Sequence, residues 1–178
     1  MNQKIQVVFS SLHVFTPGFN DCSGGLVGIS SSILGAKEVV MTDLQYALPL
    51  MEKNVNINKA PCQRNEIDGN TITCKVCDWF RPPSINELLL GTSCPDVILV
   101  ADCVWLAPLI APLLRTLDLY ADVSTKVIIT YQQRGREVHD EFWEGIHDLF
   151  DVVAVDTEKT VGLEEPAVFY LLECSKKR

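Results

Sequence analysis

Two aspartates, a group of glycines and two tryptophans occupy positions where chemistry can be done. Gly24, Gly25 and Gly28 open an apolar segment, and Asp43 follows about 20 residues further on. Asp102 closes the run Asp96-Val-Ile-Leu-Val-Ala101. Glycines let a backbone approach a ligand closely, and an acid at that spacing accepts both hydroxyls of a ribose. The same residues also suit structural duties, close helix packing for the glycines and a helix cap for Asp43. Asp102-Cys103-Val104-Trp105 puts a carboxylate just ahead of an indole. That pair is a receptor for an ammonium group, or a capping Asp followed by a packed ring. Trp79, in Cys77-Asp78-Trp79-Phe80, either walls a flat base or packs. Tyr131-Gln132-Gln133-Arg134 offers further polar groups.

The elements that must position these residues follow from periodicity and turn signals. Strands are expected at Ile5–Ser10, Glu38–Thr42, Thr71–Val76, Asp96–Ala101, Lys126–Tyr131, Asp151–Val155 and Val168–Cys174. Helices are expected from Gly24 to Leu34, closed by Gly35, over Gln45–Asn58, from the Pro82-Pro83-Ser84 cap to Leu90, over Leu106–Tyr120 and over Arg136–Leu149. The strands are continuously apolar rather than alternating, which indicates a mostly parallel α/β sheet covered by helices on both faces. The last two strands read as an antiparallel hairpin at the sheet edge. In such a sheet ligands bind beyond the carboxyl ends of the strands. Asp43, Trp79, Asp102 and the Tyr131–Arg134 stretch all fall there.

Composition narrows the classes. The chain has 178 residues, 47% hydrophobic and 21% charged, which is one globular domain rather than a disordered or fibrous chain. A net charge of −8 argues against bulk nucleic-acid binding and against an anionic membrane surface. Cys103–Leu114 is too short, and too rich in proline, to span a bilayer. Seven cysteines at apolar positions read as buried thiols in a reducing compartment, cytoplasm or nucleus. Cys74-Lys-Val-Cys77 has no second ligand pair, and His13, His139 and His147 are scattered, so no metal is expected. No Walker lysine follows the glycines and no complete dinucleotide fingerprint is present.

Taken together, Gly25-Leu-Val-Gly28, Leu34-Gly35-Ala36 through Thr42-Asp43, Ala47-Leu48-Pro49-Leu50, Asn54-Val55, the Asp102–Trp105 motif and Tyr131-Gln132-Gln133-Arg134 resemble the non-SET, seven-β-strand protein-lysine methyltransferases, methyltransferase-like family 21 and its relatives. The resemblance implies a Rossmann-like seven-stranded sheet and S-adenosylmethionine as cofactor. It implies cofactor contacts at Gly24, Gly25, Asp43, Asp78, Trp79 and Ala101. Asp102 and Trp105 would face the channel of a target lysine on a protein substrate, and the chain would act as a monomer. The domain is expected over 24–178, with 1–23 an atypical N-terminal segment and the first strand and glycine loop incomplete. Where the family reads Glu-x-Gly-x-Gly-x-Gly, this chain reads Phe19, Asp21, Ser23 and Gly25. Trp105 stands for the family's Tyr or Phe, and Gln132 for its Glu. The altered loop leaves open an alternative, a catalytically inactive methyltransferase-fold protein-binding module.

Overall fold

The computed structural model describes residues 6–10, 24–63, 71–89, 94–156 and 169–177; residues 6–10, 59–63 and 169 are described by backbone alone. Seven strands form one sheet: β1 (Gln6–Ser10), β2 (Glu38–Asp43), β3 (Thr71–Val76), β4 (Val97–Ala101), β5 (Lys126–Gln132), β6 (Phe150–Ala154) and β7 (Phe169–Lys176). Their order is β3-β2-β1-β4-β5-β7-β6. The pairs from β3 through β5 are parallel, and β7 is antiparallel to both its neighbours. The hairpin expected at the edge is there, with one refinement: β7 inserts between β5 and β6, so β6 takes the rim.

Helices lie on both faces: α1 (Leu26–Ile33), α2 (Leu48–Gln63), α3 (Ile85–Leu89), α4 (Ala107–Tyr120) and α5 (Arg136–Leu149). Alternation along β2 divides the core between the faces. Val39 and Met41 join Ile29, Met51 and Val55 of α1 and α2, while Val40 joins the larger cluster under α3, α4 and α5. The larger cluster holds Ile98, Val100, Ile110, Leu113, Leu117, Ile129, Phe142 and Ile146, all nearly inaccessible to solvent. Cys74 packs against the first cluster and Cys77 belongs to the second. Cys74 in β3 and Cys77 just after it thus pack into cores on opposite faces of the sheet, so this C-x-x-C is not a functional pair. Burial pushes both thiols up to about 11. Cys74, Cys77, Cys94 and Cys174 are free thiols. Among the described residues no helix is long and apolar enough to cross a membrane.

Local chemistry accounts for the helix boundaries. Gly35 (φ 103°) ends α1 in a Schellman arrangement, its N–H bonding Ser32 O and that of Ala36 bonding Ser31 O, each at 3.0 Å. The α2 helix starts at Leu48 rather than Gln45, because residues 44–47 form a turn closed by Ala47 N–H to Leu44 O at 3.0 Å. Pro49 then falls in the first turn, where a missing N–H is harmless. The helix also continues to Gln63, past the expected end at Asn58, whose Nδ2 donates back to Asn54 O at 2.9 Å. Ser84 and Glu87 form a capping box ahead of α3: the Ser84 N–H and hydroxyl donate to Glu87 Oε2 at 2.8 and 2.7 Å. Pro108 is accommodated in the first turn of α4; Pro112 lies inside it and gives up one backbone bond.

Candidate active site at the carboxyl edge of the sheet

The strand register lines up the candidate residues. Asp43 pairs with Val76, Phe9 with Thr42, Ser10 with Ala101, and Ala101 with Thr130. The carboxyl ends of β3, β2, β1, β4 and β5 therefore form one rim. β1 is central in it, with β2 on one side and β4 on the other. The chain winds away from β1 in both directions, and that reversal is where open α/β sheets hold ligands.

Asp43 is buried, 5% exposed, at the end of β2. Its Oδ1 accepts the Leu44 N–H at 2.7 Å, and its carbonyl accepts the Cys77 N–H at 2.9 Å. Tyr46, exposed in the following turn, has its phenol raised first by partial burial and then by the Asp43 charge. Asp102 follows β4 with φ 52°, a left-handed backbone that Asp tolerates better than most side chains. Its N–H is tied to Thr130 O at 2.7 Å. Cys103, the residue after Asp102, is fully buried, and its thiol donates to Ala101 O at 3.5 Å. Burial pushes that thiol far up, and the Asp43 and Asp102 charges push it further. The two carboxylates thus flank the switch point.

The glycine turn reaches the same rim from the first face. Gly25 caps α1 with φ 77° and no side-chain cap. A Cβ there would sit 2.9 Å from Met41 Cε, and one at Gly28 would sit 2.4 Å from Met41 Sδ. Glycine at both positions therefore lets α1 press onto β2, which realises the packing duty. The left-handed φ at Gly25 additionally requires glycine for the turn itself. Gly24 is held by Asn54 of α2, whose Nδ2 donates to its carbonyl at 2.9 Å. Phe19, Asp21 and Ser23, the altered loop positions, lie outside the described residues.

Asp78 and Trp79 belong to a tight turn just beyond β3. Asp78 Oδ1 accepts the Phe80 N–H at 2.9 Å, and the Arg81 N–H returns to Asp78 O at 2.9 Å. Trp79 packs partly against the second-face core. With Phe80 it lines a cleft of about 330 Å³ against Arg115, Asp118 and Leu119 of α4. Trp105 is half-buried, three residues past Asp102, behind the buried anchors Cys103 and Val104.

The structure adds contacts that residue types alone did not reveal. Arg134, after β5, forms an ion pair with Asp102 Oδ2. Gln133 accepts a hydrogen bond from Tyr170 of β7 at 3.3 Å. Tyr170 stacks on Tyr131, with centroids 5.0 Å apart, and the Tyr131 hydroxyl meets His139 Nδ1 at 3.0 Å. Arg134 was legible as a polar rim residue, but its partner was not, because the two are 32 positions apart. Asn54 and Tyr170 carried no local signal for these contacts.

Among solved structures, the chain superposes on a TehB-like SAM-dependent methyltransferase of Corynebacterium glutamicum with TM-score 0.64 and 13% identity, covering 99% of this chain and 82% of that one. An rRNA methylase of Streptococcus thermophilus gives TM-score 0.58 at 9% identity over 99% and 89% of the two chains. These likenesses establish the fold. In sequence, the chain is 25% identical over 142 residues to the protein-lysine N-methyltransferase EFM6 of Saccharomyces cerevisiae, which is 74% of this chain and 54% of that protein. It is 30% identical over 142 residues to the mouse protein-lysine methyltransferase METTL21E, 79% of this chain and 54% of that protein. The chain thus spans about half the length of these curated relatives. Residues 22–148 match the lysine methyltransferase family, and the chain belongs to that family.

Proposed function

We propose that this chain transfers a methyl group from S-adenosylmethionine to a lysine side chain of a protein. One observation carries the reading. Asp43 and Asp102 stand at the carboxyl ends of β2 and β4, on either side of the switch-point strand. Family membership supports it.

The donor set suits the cofactor. A buried carboxylate at a strand end accepts hydroxyl donors, and a left-handed glycine turn leaves room for close backbone approach. We assign Asp43 to the ribose hydroxyls, Gly24 and Gly25 to the methionine portion, the Ala101 backbone to the cofactor's flank, and Asp78 with Trp79 to the adenine. When bound, S-adenosylmethionine supplies a methyl group made electrophilic by its sulfonium.

The chain's own residues then have to bring an amine to that methyl in the right state. A free lysine arrives as ammonium, since its pKa is near 10.4. Asp102 holds that ammonium and orients its nitrogen, and Trp105 presents an aromatic face to the cation, worth about 0.5–2 kcal/mol. The proton on the lysine Nζ passes to water as the nitrogen turns from its ion pair. Holding reactants in line accounts for much of the rate, up to roughly 7–11 kcal/mol. The free thiols among the described residues favour the cytoplasm or nucleus, and we take the chain to act as a single copy.

Calorimetric titration of the purified chain with S-adenosylmethionine tests the assignment. Binding that Asp43→Asn removes is expected. No binding by the folded chain would replace this reading with that of a protein-binding module.

A further inference from the structure

We infer that Arg134 is a specificity-determining residue, and that it selects target lysines with an acidic neighbour. The inference rests on the lysine-transfer reading above. The carboxylate assigned to the incoming ammonium is already paired, through Asp102 Oδ2, with the Arg134 guanidinium. Both ends of that pair are tethered. The Asp102 N–H is bonded to Thr130 O at 2.7 Å, and Gln133, the residue before Arg134, is bonded to Tyr170 at 3.3 Å. The pair is open to solvent, the Arg134 and Asp102 side chains being 40% and 30% exposed, so a substrate can reach it.

Asp102 Oδ1 is buried, so a lysine ammonium coming from solvent meets the guanidinium at the accessible Oδ2. Two cations on that one oxygen crowd and repel each other, so Arg134 is displaced by the lysine. It then stands at the rim as a cation whose planar fork matches a carboxylate in two parallel hydrogen bonds. A substrate bearing Asp or Glu next to its lysine provides that carboxylate. The exchange conserves ion pairs: Arg134 leaves Asp102 for the substrate acid as the lysine joins Asp102. A substrate without the acid leaves Arg134 unpaired, and Arg134 then competes for Asp102. The overall charge of −8 favours basic proteins at long range, so this local preference for an acid is opposite to what net charge alone dictates.

The test uses matched peptides with one lysine flanked by Glu, by Gln or by Lys, and reads kcat/KM by mass spectrometry with the purified chain and S-adenosylmethionine. The Glu-flanked peptide is expected to exceed the Gln-flanked one by about fivefold, mostly in KM, and the ratio to shrink at high salt. Arg134→Ala should abolish the preference and raise the Gln-flanked rate. Arg134→Lys should retain part of the preference, and Arg134→Glu should turn it toward the Lys-flanked peptide. Equal use of all three peptides by the unmodified chain, or a preference that survives Arg134→Ala, would overturn the inference and leave lysine transfer standing. Transfer to no peptide by a chain that binds S-adenosylmethionine would overturn the lysine-transfer reading itself, and the inference with it.

Discussion

Gly28→Ala separates two opposing effects that the structure quantifies. In a helix interior, alanine is more favourable than glycine by about 1 kcal/mol. Against this, the new Cβ would sit 2.4 Å from Met41 Sδ and 2.5 Å from Met41 Cγ, where ordinary contact begins at 3.4 Å. Those atoms are the middle of the Met41 side chain rather than its mobile tip, and Met41 is 1% exposed, so no open space receives it. Overpacking of this kind costs about 1–3 kcal/mol, and the severity of the overlap places it in the upper part of that range. The net expectation is a destabilisation of about 1–2 kcal/mol, or about 2–8 °C in melting temperature for a chain of this size. In a Met41→Ala background the overlap is gone, and the same substitution should stabilise by about 1 kcal/mol. Urea denaturation of the four proteins closes the cycle. An equal effect of Gly28→Ala in both backgrounds would refute the claim that these glycines exist to let α1 press onto β2.

Further outcomes follow from the same contacts. Asp102→Asn retains a residue suited to the left-handed backbone and removes only the charge, so it should fold and bind S-adenosylmethionine while lysine transfer falls by at least tenfold; loss of cofactor affinity by calorimetry would contradict the division of roles. Tyr170→Phe should leave cofactor affinity unchanged and lower kcat a few-fold, because Gln133 loses its anchor; an unaltered kcat would show that the Gln133–Arg134 stretch needs no support from β7. Raising the pH should destabilise the fold. The Cys74, Cys77 and Cys174 thiols are pushed by burial above their ordinary value of 9.0, to about 11, 11 and 12, so the unfolded chain ionises first. Their contribution is whole below pH 9 and fades as pH climbs through 11–12. Melting curves should show that decline, and Cys77→Ala should flatten it; a slope unchanged by Cys77→Ala would contradict it.

The fold was legible because its strands are continuous apolar runs such as Val97–Val100, and because Gly35 and Ser84 punctuate the helices with recognised chemistry. What periodicity could not give was register across the sheet, namely that β7 inserts between β5 and β6, since pairing of distant strands leaves no local pattern. At the site, Asp43 and Asp102 were visible as acids ending apolar runs. The ion pair of Asp102 with Arg134, the bond from Asn54 to Gly24 and the bond from Tyr170 to Gln133 were not visible, because each joins residues far apart in the chain. The expected end of α2 at Asn58 fell short because the apolar periodicity fades there, whereas the Asn58 side chain bonds back onto its own helix and the helix runs on to Gln63.

The most direct measurement is transfer itself. The purified chain is incubated with isotopically methyl-labelled S-adenosylmethionine and lysine-containing proteins, and label is located by mass spectrometry. The account predicts label on lysine nitrogen, lost with Asp102→Asn and with Asp43→Asn. Label on any other side chain, or undiminished lysine labelling in the Asp102→Asn protein, would contradict it.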